Sequence, residues 1–226
     1  MLRTVWKSSS SEEDLLLTAG SKSDASFFQD ILAVRTEVST CWSDNTWPTQ
    51  EYSFDEYSDH YCLYAGEKPV ASLAVTRLLA GPFDPFSQYP QALMEEFRDC
   101  VASSSRLRII LSYQWKLISE VNRVISVHML RKAWREHNRA GVTLDLINVE
   151  KHKSSYYRRL GYLVCPDCTY FDPVLKTECE VMFLAADPDR RSVVQDVFQD
   201  SNLTLSAAEV LRVLNRESIY YQWQAM

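Results

Sequence analysis

The stretch 107–149 limits the possible folds more than any other part of the sequence. Residues 107–113 alternate Leu, Ile, Leu and Tyr with other side chains, the period-2 pattern of a strand. Residues 118–137 then place Val121, Val124, Ile125, Val127, Leu130 and Trp134 at helical spacing. Apolar residues fall on more than one side, as expected of a helix packed against a sheet. Gly141 is a suitable helix stop, and 142–149 is an apolar strand. Strand, helix, strand in that order is a parallel crossover. The expectation is an α/β (α+β) chain with a central mixed, twisted sheet and helices on both faces.

The flanking segments fit that sheet. Asp24 can cap a helix whose stripe is Phe27, Phe28, Ile31, Leu32, Arg35 and Val38. A polar loop bearing Trp42 and Trp47 follows. Residues 61–65 and 70–78 read as two strands joined by a Gly66-Glu67-Lys68-Pro69 turn. Gly81-Pro82 and Asp84-Pro85 mark a loop, 91–100 a short helix, 153–160 another, and 178–185 the last strand. Residues 189–198 read as helical, and Ser206 with Glu209 forms a capping box that opens a further helix. The expected organisation is a flexible tail over 1–22, a sheet domain over 23–186 and a C-terminal helical extension over 187–226.

Charge and cysteine usage narrow the classes. The net charge of −6 gives no global attraction to nucleic acid. Between Arg106 and Arg159, however, twelve Lys or Arg face four Asp or Glu. Such asymmetry fits either one face that meets an anionic partner or solvated helix faces that cluster in sequence. No run of eighteen apolar residues exists, so no membrane span is expected. The Ser-rich, acidic first twenty residues lack a signal-peptide core, which points to a cytoplasmic protein. The six cysteines are then reduced thiols. Cys165-Pro-Asp-Cys168 lacks a second pair or suitably spaced histidines for zinc and reads as a turn between strands. His128 and His137 are nine apart on one helix, which is not a ligand spacing, so no metal is expected.

The segment Ser-Ser-Tyr-Tyr157-Arg-Arg-Leu-Gly161-Tyr162 follows a strand containing Asn148. It resembles the region between the fifth and sixth strands of the GNAT N-acyltransferase superfamily. There an Asn ends a strand and a short helix closes in Tyr-x-x-Leu-Gly-Phe/Tyr, the glycine letting the chain turn sharply into the next strand. The upstream half is similar to the acyl-homoserine-lactone synthases and related N-acyl amino acid synthases. Arg35, the tryptophan loop, "FDEYSDHYCLY" at 54–64, "VASLAVTRL" at 70–78 and "SSSRLRII" at 103–110 occur in that families' order. The resemblance covers about residues 25–185. Arg35, Asp55, Arg77 and Arg106 match its pattern. Ser58 replaces a second aspartate, with Asp59 displaced by one, and Ser103 replaces a glutamate. Lactone synthases use that acidic cluster around a sulfonium substrate, so its loss points to fatty N-acylation of another amine.

The resemblance implies splayed fourth and fifth strands, with the donor's pantetheine arm lying along the fourth as an added strand. Backbone amides at Ile109, Ile110 and Leu111 would face the thioester oxygen. The usual glycine-rich pyrophosphate loop is missing from Tyr113-Gln-Trp-Lys116-Leu, whereas Lys116 and Arg123 suit a single phosphate. That favours an acyl carrier protein over coenzyme A as thioester donor, with no tightly bound cofactor. Tyr157 stands at the position of the general acid to the leaving thiolate, or else packs under the sheet. Asp55, Asp59 and Glu150 are candidates for proton removal from the amine. Arg35, Arg77 and Arg106 could brace Asp55 in a buried network. The acceptor would be an amino acid, or a Lys or ornithine side chain of a ribosomal peptide. The alternatives are a coenzyme A-dependent small-amine acetyltransferase and a non-catalytic module that holds a carrier protein or precursor peptide.

Overall fold

The computed structural model describes residues 2–7, 14–40, 52–83, 88–110, 121–173, 175–190, 192–198 and 201–224. They fall into two compact units. One comprises Met1–Thr76 and Ser104–Ala133, the other Arg77–Ser103 and Trp134–Met226.

The first unit is an antiparallel meander carrying a helix. Strands β1 (Leu2–Lys7), β2 (Asp14–Gly20), β3 (Ser58–Ala65) and β4 (Lys68–Arg77) pair in sequence order. Of the residues expected to form a flexible tail, 2–7 and 14–20 are thus sheet. Leu15 and Leu17 are buried, because β2 pairs with β3 in the register Leu15↔Ala65 to Gly20↔His60. The Leu15-Leu16-Leu17 run is satisfied by pairing with Ala65, Tyr64 and Leu63, far along the chain, which no local pattern signals. Helix α1 (Ala25–Thr40) begins where Asp24 Oδ1 accepts the Phe27 amide at 3.2 Å. Its Phe27, Phe28 and Ile31 pack with Cys62 of β3, and Val34 and Val38 pack with Ile110.

The second unit holds the crossover. Strand β5 (Val101–Ile109) starts six residues ahead of the sequence expectation. It runs antiparallel to β4, the Leu78 amide donating to the Val101 carbonyl here and the Ile110 amide to the Val70 carbonyl in the first unit. Strand β6 (Leu144–Glu150) is parallel to β5, with Val101↔Leu144, Ala102↔Asp145 and Ser103↔Leu146 in register within the second unit. Strands β8 (Thr177–Ala185) and β7 (Leu163–Asp172) complete the order β5-β6-β8-β7, both pairings antiparallel. Short helix α2 (Gln91–Glu96) puts Leu93 into a core with Phe83, Leu144, Leu146 and Phe183.

Helix α3 (Val121–Arg139) precedes β6, and α4 (Ser154–Leu160) joins it to β7. Helix α5 (Ala207–Gln224) opens on the expected capping box: Ser206 Oγ accepts the Glu209 amide at 3.2 Å, and Glu209 Oε2 accepts the Ser206 amide at 2.9 Å. Between 189 and 198 only Gln195–Phe198 is helical, as a 3-10 turn.

The CxxC segment is not a turn between strands. Cys165 to Cys168 lies inside β7, where the register with β8 shifts between Val164 and Thr169. Asp167 has φ 57°, so the segment is a bulge that lets Pro166 and a left-handed residue sit within a strand.

Gly161 ends α4 at φ 108°, with the Tyr162 amide donating to the Tyr157 carbonyl at 3.1 Å. A Cβ there would drive into Ser192 Oγ. Gly161→Ala is therefore expected to lower unfolding stability by about 2–3 kcal/mol in denaturant titration, since left-handed strain and a steric clash add. An unchanged midpoint would contradict this account of the turn.

Candidate active site

The most enclosed polar cluster of the first unit is built around Asp55. Helix α1 presents Arg35 on its buried stripe, and the 3-10 turn Ser53–Tyr57 lifts Asp55 to meet it. Arg35 Nη1 and Nη2 donate to the two Asp55 oxygens at 2.8 Å each, and the Tyr52 amide donates to Oδ2 at 2.8 Å. Asp55 is wholly buried and Arg35 nearly so. Burial alone would raise the Asp55 carboxyl, but the Arg35 hydrogen bonds and charge outweigh it, helped by the Tyr52 amide. The group is held below the usual carboxylate value, and an anion so stabilised is a weak base. Its placement suits bracing better than proton removal.

The expected network of three arginines does not converge on Asp55. Arg106 instead stacks on Tyr52, its guanidinium 4.4 Å from that ring centroid and 5.7 Å from Phe54. Arg35 lies 5.7 Å from the same Tyr52 ring. Arg106 also takes φ 56°, a strained conformation for a non-glycine residue in a strand. Arg77 belongs to the second unit, where its carbonyl accepts the Ala80 amide at 2.9 Å. Asp59 is exposed.

Hydroxyls fill the two positions where acids were expected. Ser58 Oγ donates to the Phe54 carbonyl at 2.8 Å and lies 2.6 Å from Thr76 Oγ1. In the second unit, Ser103 Oγ lies 2.6 Å from the Tyr89 hydroxyl. Neighbouring His60, fully buried, was missed in the sequence. Its Nε2 donates to the Asp55 carbonyl at 3.1 Å, its ring packs edge-on to Phe28 at 5.1 Å, and Nδ1 has no partner among the described residues. Burial pushes its pKa down, so it is neutral.

The second unit carries Glu150, Asn148 and the tyrosines. Glu150 ends β6 and is neutralised locally: Lys153 Nζ donates to it at 2.5 Å, and His152 Nε2 stands 3.4 Å away. Tyr157 is half-buried, its ring edge-on to Tyr156 at 5.2 Å and to Tyr162 at 5.9 Å. Tyr162 is in turn fixed by its hydroxyl, which donates to Asp145 Oδ2 at 2.5 Å. Both ends of the Asn148 side-chain amide are buried without a partner among the described residues. Buried amides are normally satisfied, so this one is suited to a ligand or water. The signal in the sequence was a polar residue inside the apolar run Leu144–Glu150.

Of the donor-side residues, Ile110 spends its own amide on the Val70 carbonyl at 3.0 Å. That corrects its expected oxyanion role. Leu111 and Lys116 lie outside the described residues, as do the Trp42 and Trp47 loop and the Arg123 side chain. Among the described residues no cluster of three His, Cys, Asp or Glu could hold a metal. Burial pushes the Cys62 thiol up to about 12 and the Cys179 thiol up to about 11, so neither is a ready nucleophile. No helix among the described residues is long and apolar enough to cross a membrane.

Comparison with known proteins defines the fold class. No protein-family model and no curated protein matches the sequence. Solved structures do match. The AHL synthase LasI aligns with a TM-score of 0.62 at 10% identity, over 85% of this chain and 98% of its own. FeeM, an N-acyl amino acid synthase from uncultured soil microbes, aligns with a TM-score of 0.55 at 11% identity, over 76% and 91%. An acyl-CoA N-acyltransferase from Pseudomonas aeruginosa aligns with a TM-score of 0.54 at 16% identity, over 76% and 99%. The chain therefore has the mixed α+β fold of the GNAT-type N-acyltransferases.

Two acid-sensitive groups meet in the Asp55 cluster, and the signs are the same. The Asp55 pKa is lowered on folding, so its stabilisation is complete above about pH 4 and is lost as pH falls through the folded value. The His60 pKa is also lowered, so below about pH 6.5 the unfolded chain gains a proton that the folded one does not. The stability of the wild type relative to His60→Gln should therefore decline from pH 7 to pH 5. Asp55→Ala should cost about 3–5 kcal/mol, because it strands a buried guanidinium. A pH-independent difference, or a loss under 1 kcal/mol, in urea titrations would contradict these assignments.

Proposed function

We propose that this chain is an N-acyltransferase that moves a fatty acyl group from a thioester to an amine. The observation that carries the reading is the GNAT-type fold. In it β5, paired in parallel with β6 over Val101–Ser103 in the second unit, continues to Ile109 and can take an extended pantetheine arm as an added strand.

The reaction asks for few groups. The amine nitrogen attacks the thioester carbonyl carbon, the oxygen becomes an oxyanion, and the C–S bond breaks as the carbonyl reforms. The oxyanion calls for a backbone N–H donor. The Tyr157 hydroxyl gives its proton to the departing thiolate, and water carries away the proton lost from the amine. Asn148, with its unsatisfied buried amide, holds the pantetheine arm or a bridging water. Glu150 is assigned to orientation, since Lys153 and His152 already engage its carboxylate.

Substrate choice follows from charge. Neutral hydroxyl pairs at Ser58 and Ser103 offer nothing to a sulfonium, which argues for an ordinary amine on an amino acid, or on a Lys or ornithine side chain of a peptide. On the donor side, Lys151, His152, Arg158 and Arg159 are exposed around α4, and Arg135 and Arg139 on α3. They suit the acidic surface of an acyl carrier protein better than a free nucleotide.

The test is turnover with long-chain acyl-carrier and acyl-coenzyme A thioesters against a panel of amines, read by product mass. An N-acylated amine is expected, formed faster from the carrier thioester. Tyr157→Phe should lower kcat about 100-fold while leaving stability unchanged. Binding of a carrier or peptide without product from either thioester would overturn the reading in favour of a non-catalytic module.

A further inference from the structure

The β5–β6 ladder includes Ser103↔Leu146, and one side chain touches both of those residues. The Tyr89 hydroxyl lies 2.6 Å from Ser103 Oγ and 3.5 Å from the Leu146 carbonyl oxygen. A phenol has one proton to give. Either hydroxyl can donate across the short contact, and the Leu146 carbonyl can only accept. The phenol thus bridges both residues of the rung. Ser103 is 2% exposed, which makes leaving its hydroxyl unpaired costly.

The phenol is itself well held. Tyr89 precedes Pro90, which opens α2, and Leu93 of that helix is fully buried. Its ring meets Phe83 edge-on at 5.6 Å. The hydroxyl is thus presented from outside the two strands by an anchored element.

We propose that Tyr89 is a positioning residue that holds the Ser103↔Leu146 rung of β5 and β6, and so the start of the β5 segment offered to the thioester donor. This rests on the acyl-transfer reading above, though the clasp itself can be measured without turnover. Removing the hydroxyl lets that rung fray, so the donor meets a variable start of its binding strand. Donor affinity then suffers, while the chemical step does not.

The test pairs steady-state kinetics with amide hydrogen exchange on the full chain. Tyr89→Phe keeps the ring against Phe83. It should raise the KM for a long-chain acyl-carrier thioester about 10-fold with kcat within about 2-fold, and speed exchange across 101–103 and 144–146. Ser103→Ala should do the same, and the double variant no more, because both single changes break one bridge. Ser103→Thr, which keeps the hydroxyl, should exchange like wild type. Unchanged exchange in Tyr89→Phe overturns the clasp. So does a fall in kcat with a shifted pH profile at unchanged KM, which would place the phenol in the chemistry. If wild type turns over no thioester, the acyl-transfer reading fails and the exchange measurements still decide the clasp.

Discussion

Three residue pairs join β5 to β6 within the second unit, and the account depends on the strand that runs on from them. β5 continues through the first unit to Ile109. The same segment contains Arg106 at positive φ, a conformation that survives only where surrounding contacts over-determine it. Stacking on Tyr52 and the buried Val34–Val38–Ile110 cluster supply such contacts within the first unit.

In the first unit Asp55 sits in a buried ion pair with Arg35. A bidentate guanidinium, a backbone amide and an aromatic wall satisfy the carboxylate fully. That arrangement locks helix α1 to the turn leading into β3. It also takes Asp55 out of proton transfer, since a group so stabilised as an anion gives up its lone pairs reluctantly. Hydroxyl pairs in place of acids leave Ser58 and Ser103 uncharged.

What could be read from the sequence was local. The Asp24 cap, the Ser206–Glu209 box, the Gly161 turn and the strand–helix–strand crossover each declare themselves within a few residues or one hydrophobic period. What could not be read was settled by distant partners. The Ser-rich N-terminus looks unstructured until β2 finds β3. Pro166 and the CxxC spacing suggest a turn until the bulge against β8 is visible. Arg35 and Asp55 were legible as a pair through their resemblance to a known pattern, but Arg106 joined them in expectation and stacks on Tyr52 in fact. His60 and Tyr89 carry no motif, and only tertiary contact shows what they touch. The donor-side residues Leu111 and Lys116 remain expectations from the sequence.

The central claim is that the part of β5 beyond Ser103 receives the thioester arm as an added strand. The most direct measurement is amide hydrogen exchange with and without a non-hydrolysable acyl-pantetheine amide. The account predicts slowed exchange in the peptide spanning 104–109, because the ligand's amides and carbonyls complete that strand's hydrogen bonds. Saturating ligand with no protection there, or protection confined to other segments, would contradict it.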